Sequence, residues 1–269
     1  MSELQSILPV ILGLVAAYLF LPPILIYGAQ RFRRDMQILP FNPKTVPGSK
    51  KMVQYFDESI AAMAEIGFEC LGEYSLPDFV TNAKAVAQMY RNVTTRETAM
   101  VNSVWGIANG FVTARVQYAE FVCRFDHDEI RLIQTANMTM PGAFSDDPHE
   151  PTFRLPQIQD IGDLYHCHER LLERHAPQAP RVLRVDEEFQ GNAKEFLRQV
   201  VLVECFEDQI ATGYLQTAEV GWRPTVYGAL LMTWKELWPF KSIRTAALHR
   251  RGRLLEADLE QEFGPLPGS

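Results

Sequence analysis

The sequence predicts an α+β protein: an N-terminal transmembrane helix, then an antiparallel sheet of about four or five strands packed with helices, and a mainly helical C-terminal third. Three observations support this prediction. No charged residue occurs from Leu4 to Gln30. Apolar residues alternate with a period of two over much of 68–136, which indicates strands. After residue 160 they recur at intervals of three and four, which indicates helices.

The apolar run Ile7–Ala29 has the length of a transmembrane helix, because a hydrocarbon core of about 30 Å takes about 20 residues. Pro22 and Pro23 lie inside the run and are expected to kink or shorten the helix, so a helix that enters the membrane without crossing it is an alternative. A cleaved signal peptide is another, but the positive n-region and a small-residue cleavage site are missing. We therefore interpret residues 1–34 as a membrane anchor with a basic flank.

The charges beside this run predict its orientation. Arg31, Arg33 and Arg34 follow it, and no Lys or Arg precedes it, so the positive-inside rule places the C-terminal domain in the cytoplasm. Two triplets with the form of glycosylation acceptors begin at Asn92 and Asn137 and would favour the opposite side. Because such triplets often arise by chance, we give the arginines more weight and predict a single-pass membrane protein with a cytoplasmic domain.

The rest of the chain divides by composition and period. Residues 35–48 hold three prolines and are typical of a stiff linker, and residues 49–180 are expected to form the α+β domain. A change of phase near Ala119 and Glu120, within the longest predicted strand, indicates a β-bulge. Residues 181–269 are expected to be mainly helical, with a small hairpin near Gly221. The predicted elements of the domain are helices at 53–64 and 160–174, strands at 68–74, 86–91, 99–105, 112–125 and 130–136, and a proline-rich loop at 137–160.

A second membrane contact is predicted at 226–253. The helix 226–238 is too short and too charged to span a bilayer, but it carries tryptophan beside lysine, a combination typical of interfacial segments. The basic run behind it would be attracted to anionic lipid. A buried core helix followed by a solvated basic helix is the alternative. The predicted contact residues, together with the three arginines of the anchor flank, are Trp234, Lys235, Trp238, Lys241 and Arg244.

Candidate catalytic residues are few and scattered. They are Asp146, Asp147 and His149 in the proline-rich loop, and His166 and His168 on the helix at 160–174. Carboxylates and imidazoles brought together could act as acids and bases or bind a metal ion. The ordinary interpretation is a solvated loop and a charged helix face. The spacing does not match a zinc-protease helix, and we predict neither a metal site nor a cofactor.

Composition excludes some classes and leaves two functions open. A net charge of -7 argues against a nucleic-acid-binding protein. Four cysteines far apart in the sequence are expected to be reduced thiols. The favoured hypothesis is an interaction or ligand-binding module at the inner membrane face, with the lipid bilayer and an unidentified protein or apolar ligand as partners. The alternative is a membrane-bound enzyme that acts on lipid or envelope precursors with a His/Asp/Glu site.

Overall fold

One long helix precedes a mixed domain built on two sheets in the computed structural model, which describes residues 2–43, 49–80, 83–108, 111–142, 144 and 147–267. The α+β class predicted from the sequence is confirmed. The helices are α1 Ser2–Ala29, α2 Ser49–Glu65, α3 Ile161–His175, α4 Arg184–Glu187, α5 Ala193–Phe196, a π-helix Leu197–Glu204, α6 Cys205–Ala211, α7 Val226–Glu236 and α8 Phe240–Phe263. The strands are β1 Phe32–Arg33, β2 Leu39–Pro40, β3 Glu69–Val80, β4 Ala83–Asn92, β5 Glu97–Ala108, β6 Phe111–Phe125, β7 Leu132–Ala136, β8 Thr152–Arg154, β9 Arg181–Val182, β10 Leu215–Ala218 and β11 Gly221–Pro224.

The large sheet has the strand order β2-β3-β4-β5-β6-β7-β8, and β9 pairs with the end of β6. Its neighbours are antiparallel except for β7 and β8, which run parallel. The small sheet has the order β1-β11-β10 and is antiparallel. The predicted count of four or five strands was too low, and the last third of the chain is helical only in part. Strands of two to four residues, such as β1, β2, β8 and β9, are too short to show a period in the sequence.

Both faces of the large sheet are covered. One face packs on α2, α3 and the end of α8, around Tyr90, Trp105 and Phe121. The other face packs on the segment from α4 to α7 and on the small sheet, around Met89, Phe196 and Trp222. Residues 181–267 therefore cover parts of both faces of the large sheet, most of whose strands come from residues 49–180.

Full coverage explains why the expected β-bulge is not found. The register between β5 and β6 runs without interruption from Glu97↔Cys123 to Gly106↔Ala114, and its shift lies after Gly106. Apolar residues can change from one face of β6 to the other without a bulge, because apolar side chains pack against both faces of the sheet. The prediction of a bulge near Ala119 and Glu120 was wrong for this reason.

The segment after α1 is built into the domain. Phe32 is 3% exposed, and β1 pairs with β11. Met36 and Ile38 are buried in the core, and β2 is an edge strand of the large sheet. Within the stretch expected to be a linker, residues 35–43 are thus anchored, and residues 44–48 lie outside the described part of the chain. The cysteines are free thiols, two buried (Cys123, Cys167) and two exposed (Cys70, Cys205).

Candidate functional site

The apolar helix α1 is long enough to cross a membrane, and its segment Ile7–Ala29 is only 6% buried. The buried part of it faces α7, which runs back along the C-terminal half of α1. Pro23 is buried there, although most of its neighbours are exposed. The remaining surface of the segment is a continuous apolar face with no protein partner among the described residues.

A side-chain hydrogen bond joins the two helices at the point where the prolines interrupt the backbone pattern. Pro23 has no amide N–H, so the carbonyl of Leu19 lacks its usual donor four residues on. The indole Nε1 of Trp234 donates to this carbonyl at 2.8 Å. One turn further, the hydroxyl of Tyr18 donates to the carbonyl of Trp238 at 3.0 Å. The ring of Trp234 also makes an edge contact with Phe20, with the centroids 6.2 Å apart.

The link between α7 and α8 forms a tip beside α1, which we name the α7–α8 tip and define as residues 237–244. Three large apolar side chains are exposed there: Trp238 by 71%, Phe240 by 44% and Ile243 by 62%. From this tip α8 returns to the domain, where Gly252 lies against Pro156 and Leu259 is fully buried.

The charged residues at and next to the tip have partners within the protein. Lys241 pairs with Glu236 at 2.8 Å. Lys235 donates to the hydroxyl of Tyr214 at 2.7 Å. Arg244 donates to the carbonyls of Lys235 and Gly142 at 3.4 and 3.0 Å. Pairing of this kind lowers the cost of moving charges from water to a membrane interface.

The three arginines that follow α1 also have partners within the protein. Arg31 donates to the carbonyls of Gln30 and Tyr27 at the end of the helix. Arg33 pairs with Asp35 at 2.9 Å, and Arg34 pairs with Glu207 at 3.0 Å. The guanidinium of Arg34 also lies 5.1 Å from the ring centroid of Trp222. The predicted contact residues therefore gather around the end of α1 and the α7–α8 tip.

A second feature is a charged cleft of about 420 Å³ where the end of β6 meets β9, α4 and α6. Its volume is in the usual range of small-molecule sites. The π-helix contributes to its wall, and such helices are rare and often occur at functional sites. We name it the charged cleft; its lining residues are Arg124, Phe125, Asp126, Arg131, Glu150, Val182, Arg184, Glu188, Glu204, Glu207 and Asp208.

Most of the charges in the cleft are paired. Arg184 bonds Glu204 at 2.8 Å and Glu188 at 2.6 Å. Arg131 contacts Glu150 at 3.3 Å and, outside the cleft, Asp147 at 2.8 Å. The hydrogen bond from Arg184 lowers the pKa of Glu188, whereas burial raises the pKa of Glu150.

Two groups in the cleft differ from the rest. Arg124 forms no salt bridge or side-chain hydrogen bond with any residue that the structure describes, and its Nε is sealed from solvent without a partner. Burial, and then the positive charge of Arg184, lower the pKa of this guanidinium. Asp208 is partly buried, and its carboxylate likewise has no salt bridge to a described residue. Burial raises the pKa of Asp208.

A buried acid lies behind the cleft on the same face of β6. Glu120 is 5% exposed and accepts hydrogen bonds from Asn102 at 3.0 Å and from Gln134 at 2.6 Å. Burial raises the pKa of Glu120 to about 7. Glu120 and Arg124 share a face because residues four apart on a strand point the same way.

The candidate catalytic residues do not meet in one cluster. Asp147 pairs with Arg131 and accepts a hydrogen bond from the backbone N–H of His149, whose ring contacts the carbonyl of Glu129 at 3.1 Å. His166 is exposed and lies 3.3 Å from Glu169. Asp146 lies outside the described residues.

His168 is a core residue. It is fully buried, and its Nδ1 lies 2.8 Å from the hydroxyl of Thr135, while its ring stacks on Phe121. Burial lowers its pKa to about 3, so the ring is neutral near pH 7. Among the described residues, no group of three or more His, Cys, Asp or Glu side chains is arranged to hold a metal ion.

None of the predicted catalytic residues that the structure describes lines the charged cleft; Asp147 is connected to it only through Arg131. Sequence reasoning missed Arg124, Arg184 and Asp208. Two signals were present: an arginine among apolar residues in the longest strand, and acids at positions 204, 207 and 208, which share one face of an otherwise apolar helix. No known family model, curated protein or solved structure gives a significant match to this chain.

Proposed function

We propose that this protein is a ligand-binding module held at the cytoplasmic face of a membrane, with α1 as the anchor and the α7–α8 tip immersed in the interface. The observation that carries the proposal is the hydrogen bond from Trp234 to the Leu19 carbonyl, which ties α7 to the apolar helix. Where no water is available, a carbonyl freed by proline needs such a donor.

The dimensions of the helices agree with this arrangement. A hydrocarbon layer that begins at Leu4 would end near Pro23, since about 20 residues span about 30 Å. Tyr18 precedes Pro23 by five residues, or about 7.5 Å. The backbone of Trp238 is bonded to Tyr18, so the tip would enter the inner boundary to a similar depth. Interfacial segments are commonly buried by about 5–10 Å.

The chemistry of the tip supports the same placement. Trp238, Phe240 and Ile243 present an apolar surface to the surroundings, whereas Lys241 and Glu236 neutralise each other. Arg31, Arg33 and Arg34 follow the anchor, where anionic headgroups would attract them. The cytoplasmic orientation rests on these arginines and on the positive-inside rule.

Binding is favoured over the enzyme hypothesis because the candidate catalytic side chains have separate partners. His168 is fully buried in the core, and His166 lies beside Glu169 on the solvent side of α3. Asp147 is paired with Arg131. The charged cleft is an open, charged site of ordinary ligand size.

The membrane arrangement can be tested with two cysteine variants of the full chain, Ile243→Cys and Leu254→Cys. Both positions are exposed on α8, by 62% and 55%, but they lie eleven residues, or about 16 Å, apart along the helix. The exposed native cysteines Cys70 and Cys205 are replaced by serine in both variants. An environment-sensitive fluorophore is attached, and the protein is reconstituted with brominated lipid.

We expect the probe at residue 243 to be quenched and the probe at residue 254 to remain unquenched. Equal quenching at both positions, or none at either, would contradict immersion of the tip. The Leu254→Cys protein also reports orientation: an impermeant thiol reagent should label it in inverted vesicles and not in right-side-out vesicles. Labelling with the opposite sidedness would refute the cytoplasmic assignment.

A further inference from the structure

Among the described residues, the ion pairs of the charged cleft leave one cation and two acids without a salt bridge, and one of these acids is exposed to water. Arg184 is paired with two acids, Arg131 with Glu150 and Asp147, and Glu207 with Arg34. Asp126 lies exposed in the turn after β6, where water can solvate it. Among the described residues that line the cleft, the partly buried charges that remain are Arg124 and Asp208.

A partly buried guanidinium without a salt bridge is costly for a fold. It loses part of its hydration, and the nearby acids Glu150, Glu204 and Glu188 attract it from beyond salt-bridge distance while each is paired with another arginine. Arg124 has five N–H donors and cannot lose its charge at ordinary pH, so the cost cannot be avoided by titration. Its Nε is sealed from solvent without an acceptor, while the side chain lines the open cleft. A guanidinium in this position can bind an anionic group of a ligand that enters the cleft.

A simple anion would not suit the cleft as a whole. Six acids and three arginines line it, so the wall has a net negative charge. Asp208 adds an acid on α6 that no described residue neutralises. A ligand that carries a cationic group beside its anionic group would satisfy both, because the anion would pair with Arg124 while the cation faces Asp208 and its acidic neighbours.

We infer that the charged cleft binds a small zwitterion, with a phosphate or carboxylate on Arg124 and a primary ammonium near Asp208. A planar guanidinium can hold two oxygens of a phosphate or carboxylate at once. An ammonium donates up to three hydrogen bonds, which acids of the wall can accept. The inference concerns the cleft alone and does not depend on the side of the membrane or on the depth of the tip.

Two sources could supply this chemistry: the ethanolamine headgroup of a membrane lipid or a free zwitterionic metabolite. The cleft is connected to the end of the anchor through the Arg34–Glu207 pair, and Arg34 follows Ala29 by five residues. A lipid headgroup is therefore within the region that the proposed membrane arrangement would reach. A soluble zwitterion has the same groups without the acyl chains.

The test is isothermal titration calorimetry of the full chain in nanodiscs of phosphatidylcholine, with phosphoethanolamine, inorganic phosphate and ethanolamine as separate probes. We expect phosphoethanolamine to bind at least about tenfold more tightly than either fragment, since both ends are recognised. No saturable binding of phosphoethanolamine, or equal binding of inorganic phosphate, would overturn the inference.

Variants assign each end of the probe. Arg124→Met should weaken phosphoethanolamine and phosphate alike by about tenfold or more, because a charge-assisted contact is lost. Asp208→Asn should weaken phosphoethanolamine but leave phosphate unchanged or tighter, because it removes a repulsive acid. Glu195→Gln is the control outside the cleft, since Glu195 is an acid that is already paired with Arg198, and it should leave the affinity unchanged. Unchanged binding of phosphoethanolamine to Arg124→Met would refute the assignment.

A folding defect in one variant does not remove the test. Thermal unfolding of each variant is measured first, and Arg124→Lys replaces Arg124→Met if the latter does not fold. Lysine keeps the charge but loses the two-pronged geometry, so weaker binding is still expected. Nanodiscs that contain phosphatidylethanolamine distinguish the sources: competition with phosphoethanolamine identifies the lipid headgroup, and its absence identifies a soluble zwitterion.

Discussion

Replacing Trp234 with phenylalanine is expected to loosen α7 from α1, because it removes the only side-chain donor that the described residues offer to the Leu19 carbonyl. The ring contact with Phe20 is largely kept, so the substitution isolates the N–H group. Pro23 cannot supply a backbone donor in its place. In the proposed membrane arrangement, the carbonyl would then be left unsatisfied in a layer that holds little water.

The expected magnitude follows from this loss. A buried polar group left without its partner costs about 1–3 kcal/mol, and measured hydrogen bonds between membrane helices average about 0.6 and reach about 1.7 kcal/mol. We expect about 1–2 kcal/mol for Trp234→Phe. Local opening of α7 should then become about 5 to 30 times more frequent.

Hydrogen exchange of the full chain in nanodiscs measures this opening directly, on peptides that cover 226–238. Trp238→Phe is the matched control: it makes the same chemical change four residues further along the chain, at an indole that is 71% exposed. The control should leave the exchange of α7 unchanged.

A double-mutant cycle tests the physical reason. Pro23→Ala restores the backbone N–H that the Leu19 carbonyl lacks, so Trp234→Phe should cost clearly less in that background. The effect of Trp234→Phe in the wild type minus its effect in the Pro23→Ala background is the coupling energy between the two residues. Any cavity left by Pro23→Ala is present in both proteins of that background and cancels. An equal effect of Trp234→Phe in both backgrounds would refute the reasoning, and so would an unchanged exchange rate in the wild-type background.

Three further predictions concern the domain. Gly228→Ala should destabilise the protein by about 1–3 kcal/mol in thermal unfolding, because its Cβ would lie 1.9 Å from the carbonyl oxygen of Tyr214; Gly28→Ala, with open space around it, should not. Glu120→Gln should flatten the pH dependence of stability between pH 4.5 and 7. The raised pKa means that the folded state keeps a proton that the unfolded state releases, so the wild type loses up to about 1.4 kcal/mol per pH unit as pH rises through this window. Arg124→Met should leave the ligand-free protein as stable as the wild type, or more stable, because it removes a partly buried charge that has no salt bridge.

Each of these has an opposing outcome that chemical and thermal unfolding can detect. Equal stability of Gly228→Ala and Gly28→Ala would show that α7 can move away from Tyr214. An unaltered pH profile in Glu120→Gln would mean that the carboxyl of Glu120 is ionised at pH 5. A large loss of stability in ligand-free Arg124→Met would show that Arg124 serves the fold, and would weaken its assignment to a ligand.

Long periodic elements could be predicted from the sequence, and short ones could not. The helix α2 and the strands β3 to β7 show clear periods over five or more residues. The strands β1 and β2 contain two residues each, and three prolines in the same region suggested a linker. What decides their structure is tertiary pairing with β11 and β3, which no local pattern encodes.

The candidate sites show the same limit. The tryptophans and lysines near residue 235 were visible as a local cluster, and they gather at one tip of the structure. The charged cleft was not visible, because its residues come from distant parts of the sequence. Its arginines come from β6, the residue before β7, and α4, and its acids come from the turn after β6, the loop before β8, the end of α4, the π-helix and α6. His168 was selected for its neighbours in sequence, yet its position on the inner side of α3 makes it a core residue. Residue type alone does not show which side of an element is covered.

The way α1 leaves the domain has a consequence for any function at a membrane. Phe32 is buried, β1 pairs with β11, and Gly221 lets the two strands approach so closely that a Cβ there would lie 2.2 Å from the carbonyl oxygen of Phe32. Together with the contacts of α7, this fixes α1 to the domain at two separated points. A helix held at two points cannot swivel freely, so a tilt of the anchor would turn the whole domain. In the proposed arrangement, the charged cleft therefore keeps a set distance and orientation relative to the lipid surface.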